Sequence, residues 1–269
     1  MPIRTIGVIG AGTMGSGIAQ TAATKNLDVV LIDVSEAATA KGIGDVESRL
    51  ARLVAKGKMS AAEKDAAIGR IHAASDYTAL TPADLVIEAA TENYDLKVKI
   101  LKQIDPLVRA DAIIASNTSS VVGMHFFNPV PAMALVEIVR GLQTSDATHA
   151  AIAALAAQLG KSPITVKSAP GFVVNRILLP MINEAFFVLA EGDASAKEID
   201  EGMKLGCNHP IGPLALADMI GLDVLLAVMQ TLHDEFADSK YRPCPLLREM
   251  VAAGYMGRKT GRGVYSYQA

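Results

Sequence analysis

An apolar run over residues 3–10 leads directly into a glycine-rich turn with the spacing Gly10-x-Gly12-x-x-Gly15. A helical pattern follows, and the next apolar run ends in Asp33, 18 residues beyond Gly15. In a βαβ unit, such glycines allow a tight turn and let the backbone approach a pyrophosphate at the helix N-terminus. The pattern therefore predicts a dinucleotide site. Asp33 favours NAD over NADP because a carboxylate would repel a 2′-phosphate, while FAD, which uses the same fingerprint, remains an alternative.

Short β-branched runs alternate with helical patterns from residue 3 to about residue 167. The runs are continuously apolar, as expected of parallel strands covered on both faces. This alternation predicts a doubly wound, Rossmann-type α/β sheet. The predicted strands are IRTIGVIG, LDVVLIDV, ADLVIEAA, AIIAS, MALVEIV and PITVK, and the predicted helices are GSGIAQTAATK, EAATAKGIGDVESRLARLVAKG, NYDLKVKILKQIDPLV and DATHAAIAALAAQLG.

After Pro170 and Gly171, a natural boundary, the remaining pattern is helical. We therefore predict two domains, a dinucleotide-binding domain over residues 1–169 and an all-α domain over residues 170–269, with the crevice between them as the ligand site. The helical segments are NRILLPMINEAFFVLAEG, SAKEIDEGMKLG, LALADMIGLDVLLAVMQTLHDEFA and PLLREMVAAG.

The overall composition excludes several classes of partner. The chain has 269 residues and a net charge of -3. This balance argues against nucleic acid or an anionic membrane as the main partner. Cys207 and Cys244 are too few for a zinc site or a disulfide framework, so we expect no metal and a reducing compartment. The amino end shows no signal-peptide pattern and we see no membrane span, so the expected location is cytoplasmic.

A polar cluster interrupts this alanine- and leucine-rich chain in the stretch SNTSSVVGMHFFNPVP, residues 116–131. Alcohol oxidation needs a base for the hydroxyl proton, and histidine suits this role near neutral pH. His125 follows an apolar stretch compatible with a strand end, and Glu137 lies beyond the next turn, where it could orient the imidazole. Ser119 and Asn175 could bond the substrate oxygen. A histidine merely packed beside two phenylalanines is the structural alternative.

Several longer motifs resemble those of the 3-hydroxyacyl-CoA dehydrogenases, especially bacterial 3-hydroxybutyryl-CoA dehydrogenases. They cover the chain from end to end, and several are specific to that family rather than to Rossmann proteins in general. The matching stretches are GVIGAGTMGSGIAQ, VIEAATEN, ASNTSS, GMHFFNPVP, LVEIVRG, PGFVVNRIL, HPIGPLALAD and GRKTGRGVY.

The resemblance implies a role for each of the polar residues. His125 would be the general base, Glu137 its partner, and Ser119 and Asn175 the residues that hold the substrate oxygen. Lys56 and Lys58, at the end of a long helical pattern, would meet the phosphates of coenzyme A or would be solvated charges. The implied cofactor-binding residues are Gly10, Gly12, Thr13, Met14 and Gly15 in the turn, Asp33 on the ribose, Glu92, Lys97, Asn117, Ser119 and Asn128 near the nicotinamide, and Lys259 closing over the cleft.

One junction departs from the family pattern. Members carry a helical segment between the TSS and the GMHFFNP, whereas here Ser120 runs directly into Val121 and Val122. We expect that the natural chain has a segment there that this sequence does not contain. A true deletion is the alternative, and it would weaken the catalytic assignment while leaving the cofactor assignment intact.

Together these features predict an NAD-dependent dehydrogenase of fatty acid metabolism. It would interconvert a short-chain (S)-3-hydroxyacyl-CoA, with 3-hydroxybutyryl-CoA and acetoacetyl-CoA as the expected pair. A 3-hydroxydicarboxylyl-CoA substrate, a free β-hydroxy-acid dehydrogenase and a non-catalytic dinucleotide-binding protein remain alternatives. The apolar helices of the second domain, together with the resemblance, predict a homodimer formed through that domain.

Overall fold

A computed structural model describes residues 3–90, 93–116 and 122–267 of the chain. The chain divides into two compact units, Met1–Ser168 and Ala169–Ala269. The first unit is α/β and the second is helical, so the predicted fold class is confirmed.

The described strands of the first unit form one eight-stranded sheet, in the order β3-β2-β1-β4-β5-β6-β7-β8. The described helices flank it, and α2, α3 and α5 each begin after a serine whose hydroxyl accepts a backbone N–H. The strands are β1 Thr5–Ile9, β2 Asp28–Ile32, β3 Ile71–Ala74, β4 Leu85–Glu88, β5 Ile113–Ser116, β6 Val122–Phe126, β7 Leu135–Arg140 and β8 Ser162–Lys167. The helices are α1 Thr13–Ala23, α2 Glu36–Ala55, α3 Ala61–Ile68, α4 Tyr94–Ile104 and α5 Asp146–Gln158.

All six predicted strands are present, while β3, β6 and α3 lie outside the predicted elements. Every strand pair is parallel except β6 with β7, which is antiparallel. In the sheet, β2 lies on one side of β1 and β4 lies on the other. The strand order reverses at this topological switch point, and ligands of doubly wound sheets bind there, outside the carboxyl ends of the strands.

The junction between β5 and β6 is short for a parallel pair. Such neighbours usually need a crossover of about a dozen residues or more, and here residues 117–121 join them. The ladder has only two paired positions, Ala115 with Val122 and Ser116 with Gly123, so β6 begins beside the end of β5. The short connection therefore does not have to return along the strand.

A cavity of about 910 Å³ adjoins this junction within the first unit. Its lining includes Ile113, Ile114, Val122, Leu142, Thr144 and Thr148.

The second unit packs its helices around one apolar core. Its helices are α6 Val174–Glu191, α7 Ala196–Gly206, α8 Pro213–Ile220, α9 Leu222–Phe236 and α10 Pro245–Ala252. The long apolar stretch predicted as one helical segment is two helices, α8 and α9, bent by 98°. Gly221, between them, has a φ of +106°, which L side chains rarely adopt, so the helix cannot continue through it.

Within the described part of the chain, no single helix is long and apolar enough to cross a membrane. The bent pair α8 and α9 would satisfy the length and composition criteria only if its two helices were counted together.

Candidate active site

The glycine-rich turn joins β1 to α1 and has the shape that a pyrophosphate requires. Gly10 has a φ of +99°, and a Cβ there would lie 2.6 Å from the carbonyl oxygen of Ala89. A Cβ at Gly15 would overlap the carbonyl oxygen of Gly10, whereas a Cβ at Gly12 would meet nothing within 4 Å. No side chain caps the N-terminus of α1. Open space at Gly12 beside free helix N–H groups fits a dinucleotide phosphate.

Asp33 follows β2 and turns its carboxylate back onto this loop. Its oxygens accept hydrogen bonds from the N–H groups of Ala11, at 2.6 Å, and Val34, at 2.7 Å. An ionised carboxylate has about four acceptor positions, so two remain for the ribose hydroxyls of a dinucleotide. Burial, and after it the charges of Asp33 and Glu88, raise the pKa of Tyr77 above its ordinary value.

His125 and Glu137 form an ion-pair-type contact on β6 and β7. They occupy directly paired positions of the antiparallel ladder, and His125 Nδ1 lies 2.7 Å from Glu137 Oε2. The Glu137 side chain is fully buried, whereas that of His125 is 15% exposed. A carboxylate on Nδ1 fixes the ring orientation and stabilises the protonated imidazole. A general base and its orienting partner would make the same contact.

The hairpin between β6 and β7 is held by contacts that the sequence motifs did not indicate. The buried Lys161 ammonium donates hydrogen bonds to the carbonyl oxygens of Val130, at 2.6 Å, and Met133, at 2.8 Å. Gly17 of α1 packs on the same turn, since a Cβ there would lie 2.9 Å from Val130 Cβ. The turn after His125 is therefore fixed from both sides.

A second buried polar cluster lies at the carboxyl ends of β4 and β5. Glu88 Oε2 accepts hydrogen bonds from Lys97 Nζ and Ser116 Oγ, both at 2.8 Å, and Glu88 Oε1 accepts one from Ala90 N at 2.8 Å. Lys97, predicted beside the nicotinamide, is thus buried in an ion pair. Glu88 was not a candidate from the sequence, although an acidic residue ending a continuously apolar strand was a usable signal.

The remaining predicted residues fall into three groups. Lys56 and Lys58 are exposed just after the end of α2, and Asn128 is exposed in the hairpin. In the second unit, Asn175 lies in the first turn of α6, and Lys259 lies in the 3-10 segment Arg258–Thr260 with its ammonium 2.6 Å from Asp223 Oδ2. The predicted residues that lie outside the described residues are Glu92, Asn117 and Ser119.

Comparison with known protein families matches both units. Residues 5–169 match the family model for the NAD-binding domain of 3-hydroxyacyl-CoA dehydrogenase, and residues 171–267 match the model for its C-terminal domain.

Individual relatives agree with the family models. A probable 3-hydroxybutyryl-CoA dehydrogenase of Bacillus subtilis is 49% identical over 283 positions, covering 100% of this chain and 99% of that protein. A 3-hydroxybutyryl-CoA dehydrogenase of Bradyrhizobium diazoefficiens is 48% identical, covering 99% of this chain and 96% of the relative. The crystal structure of an (S)-3-hydroxybutyryl-CoA dehydrogenase from Ralstonia eutropha is 65% identical, with a TM-score of 0.95, covering 99% of this chain and 100% of that one.

The first of these alignments is longer than the chain. It spans 283 positions while the chain has 269 residues, so at least 14 of its positions have no counterpart here.

Proposed function

Because the chain belongs to the 3-hydroxyacyl-CoA dehydrogenase family, we propose that it interconverts (S)-3-hydroxybutyryl-CoA and acetoacetyl-CoA, with His125 as the general base and acid. The chain is an NAD-dependent dehydrogenase of 3-hydroxyacyl-CoA, and the choice of this short acyl chain follows its relatives' names. The observation that carries the proposal is the 2.7 Å contact between His125 Nδ1 and Glu137 Oε2.

In the oxidation, His125 Nε2 accepts the proton of the 3-hydroxyl group as the C–O bond becomes a carbonyl. Bound NAD would supply the acceptor for the hydride of the same carbon. The positive charge that develops on the imidazole is stabilised by the buried Glu137 carboxylate, which is held 2.7 Å away on the neighbouring strand. In the reduction, the imidazolium returns its proton to the developing alkoxide.

Two further residues complete the proposed substrate site. Ser119 and Asn175 would donate hydrogen bonds to the substrate oxygen and so hold its carbon beside the base. Lys56 and Lys58 would attract the phosphates of coenzyme A from the exposed end of α2.

The proposed NAD site begins with the glycine-rich turn and Asp33, which follow β1 and β2. Gly10, Gly12, Thr13, Met14 and Gly15 form the turn for the pyrophosphate, and Asp33 would take the adenosine ribose. Glu92, Lys97, Asn117, Ser119 and Asn128 are proposed on the nicotinamide side, and Lys259 on the second unit.

The second unit is also the proposed dimerisation surface. It exposes apolar side chains on α6, α7, α8 and α9, which a second copy of the chain would cover. These are Ile177, Leu205, Met219 and Val224. We place the enzyme in the cytoplasm, where its two free thiols, Cys207 and Cys244, would stay reduced.

The test follows NADH oxidation by the purified protein of verified intact mass, with acetoacetyl-CoA and separately with free acetoacetate. The proposal expects turnover of the thioester and not of the free acid. His125→Ala should abolish that turnover while NADH binding, measured by fluorescence titration, is kept.

A matched control is His149→Ala, which removes an exposed histidine of α5 that contacts Thr165 at 2.8 Å. This variant should keep wild-type turnover. Turnover of free acetoacetate would instead support a β-hydroxy-acid dehydrogenase, and no turnover of either substrate would support a dinucleotide-binding protein without catalysis.

A further inference from the structure

Glu88 is a fully buried carboxylate that the proposed reaction does not use. All three of its hydrogen bonds, from Lys97, Ser116 and the N–H of Ala90, measure 2.8 Å. A buried ion pair of this kind is weak evidence for stability, because well-packed apolar residues of similar volume often serve the fold as well or better. The cluster therefore calls for a reason other than folding.

The register of the sheet places this cluster beside His125. Glu88 pairs with Ser116, and Ser116 pairs with Gly123, two residues before His125 on the same strand. Side chains two residues apart share a face, so Glu88, Ser116 and His125 all project from one side of the sheet. Strand spacing and rise place the Cα of His125 about 8 Å from that of Ser116 and about 12 Å from that of Glu88.

The cluster also reaches the glycine-rich turn. The N–H that Glu88 binds belongs to Ala90, and a Cβ on Gly10 would lie 2.6 Å from the carbonyl oxygen of Ala89 and 2.7 Å from the Cα of Ala90. Glu88 thus holds the backbone against which Gly10 packs. Its other oxygen, Oε2, holds the Lys97 ammonium at 2.8 Å.

We propose that Glu88 is a positioning residue that fixes and neutralises Lys97 and thereby sets the preference of the site for oxidised over reduced cofactor. This inference rests on the proposed function, because hydride transfer requires the nicotinamide ring to reach the carbon whose hydroxyl His125 deprotonates. The oxidised ring carries a positive charge and the reduced ring does not. An unpaired ammonium on this face of the sheet would repel only the oxidised form.

The variant Glu88→Gln keeps the shape of the side chain and removes its charge. We expect it to weaken NAD⁺ binding about tenfold more than NADH binding, as a unit charge roughly 10 Å away in a partly shielded site would do. In the double variant Glu88→Gln with Lys97→Met, both charges are gone, so the ratio of the two dissociation constants should return to within about twofold of the wild type.

Asp84→Asn provides the matched control at the opposite end of the same strand. Asp84 also combines an ion pair, to Arg109, with two backbone N–H donors, those of Arg4 and Thr5, but it lies at the amino end of β4, away from the cofactor side. This variant should lower the unfolding temperature and leave the NAD⁺ to NADH ratio unchanged.

Two measurements decide the proposal. The first is titration of both nucleotides, NADH by fluorescence and NAD⁺ by competition, and the second is thermal unfolding without nucleotide. An unchanged ratio in Glu88→Gln, with a fall in unfolding temperature like that of Asp84→Asn, would overturn it and make the cluster structural. A shifted ratio that the double variant fails to restore would overturn the role of Lys97. The titrations need no acyl-CoA, so they test this proposal independently of the proposed function. If the proposed function is wrong, the wild type will instead show no turnover of acetoacetyl-CoA.

Discussion

His125 Nδ1 lies 2.7 Å from Glu137 Oε2 because β6 and β7 run antiparallel and place the two residues at directly paired positions. The two residues are 12 apart in sequence, and the hairpin between them contains the turn that accepts the hydrogen bonds of Lys161. The one reversal of direction in an otherwise parallel set of described strand pairs therefore creates the proposed acid–base pair.

Replacing Glu137 by glutamine should lower kcat about 10²- to 10⁴-fold, because the imidazolium that forms in the reaction loses its buried counter-charge. NADH affinity should stay within about twofold, since Glu137 contacts the imidazole and not the glycine-rich turn. Steady-state kinetics with acetoacetyl-CoA and fluorescence titration of NADH measure the two effects. Equal losses in kcat and in NADH affinity would contradict the assigned role.

Several features of the fold and of the candidate site could be predicted from the sequence. Short-range patterns revealed the glycine turn, the six strands and the candidate pair His125 and Glu137. The direction of β7 was not predictable, because a strand covered on both faces is continuously apolar whichever way it runs. The bend at Gly221 was hidden for a similar reason, since apolar residues continue on both sides of it and glycine is tolerated inside a helical pattern.

Glu88 shows that contacts between distant segments could not be predicted from the sequence. A carboxylate at the end of an apolar strand is visible in the sequence, but its partner Lys97 comes from the first turns of α4 and its other partner, Ser116, from the end of the next strand in the sheet. Those contacts depend on how α4 packs on the sheet through Ile100 and Ile104. Such packing is a tertiary property that local patterns do not encode.

Lys161→Met should destabilise the fold and reduce kcat/KM together. It leaves the carbonyl oxygens of Val130 and Met133 without their donor, and each buried unsatisfied group costs about 1–3 kcal/mol. The hairpin that holds His125 and Glu137 in register would also loosen. Thermal unfolding and steady-state kinetics check both effects.

Lys25→Met is the control for that variant. Burial lowers the pKa of Lys161 first, and the charge of the nearby, exposed Lys25 lowers it further. Removing Lys25 takes away a like charge and no hydrogen bond to the hairpin. Loss of activity in Lys25→Met as large as in Lys161→Met would argue against the bonding explanation.

Replacing both Lys56 and Lys58 by glutamine should raise KM for acetoacetyl-CoA by about three- to tenfold without changing kcat, because exposed charges contribute about 1 kcal/mol or less each. The effect should shrink as ionic strength rises. Acetoacetyl-pantetheine, which lacks the adenosine phosphates, is the control substrate. If its KM rises equally, these lysines do not act on the coenzyme A phosphates.

Ile177→Asp or Val224→Asp should convert a dimer into monomers, since each places a charge on an exposed apolar side chain of the second unit, where the dimer contact is proposed. Light scattering coupled to size exclusion gives the mass directly. Leu142→Asp changes an equally apolar and fully exposed residue of the first unit, so its mass should match the wild type. A wild type that is monomeric at all concentrations contradicts the proposed interface.

Tyr265 should make the protein lose stability in alkaline solution. Its hydroxyl oxygen lies 2.9 Å from Ala196 O and 2.7 Å from Asp200 Oδ2, so its one proton is shared between two acceptors. Burial, followed by the bond to Asp200, raises its pKa well above the ordinary value. A tyrosine in the unfolded chain loses its proton near pH 10. The folded state still holds the proton there, so the contribution of Tyr265 is fully present below about pH 10 and declines as pH rises toward the folded pKa.

Tyr265→Phe tests this directly. The variant loses the donor to Ala196 and Asp200, so at neutral pH it should be less stable by about 1 kcal/mol. Its free energy of unfolding should then fall less steeply than that of the wild type as pH rises above about 10. Denaturant unfolding at a series of alkaline pH values measures both slopes. If the free energies of unfolding of the two proteins fall equally steeply with pH, Tyr265 has the same pKa in the folded and unfolded chains. Its bond to Asp200 then does not hold the carboxyl end of the second unit in place.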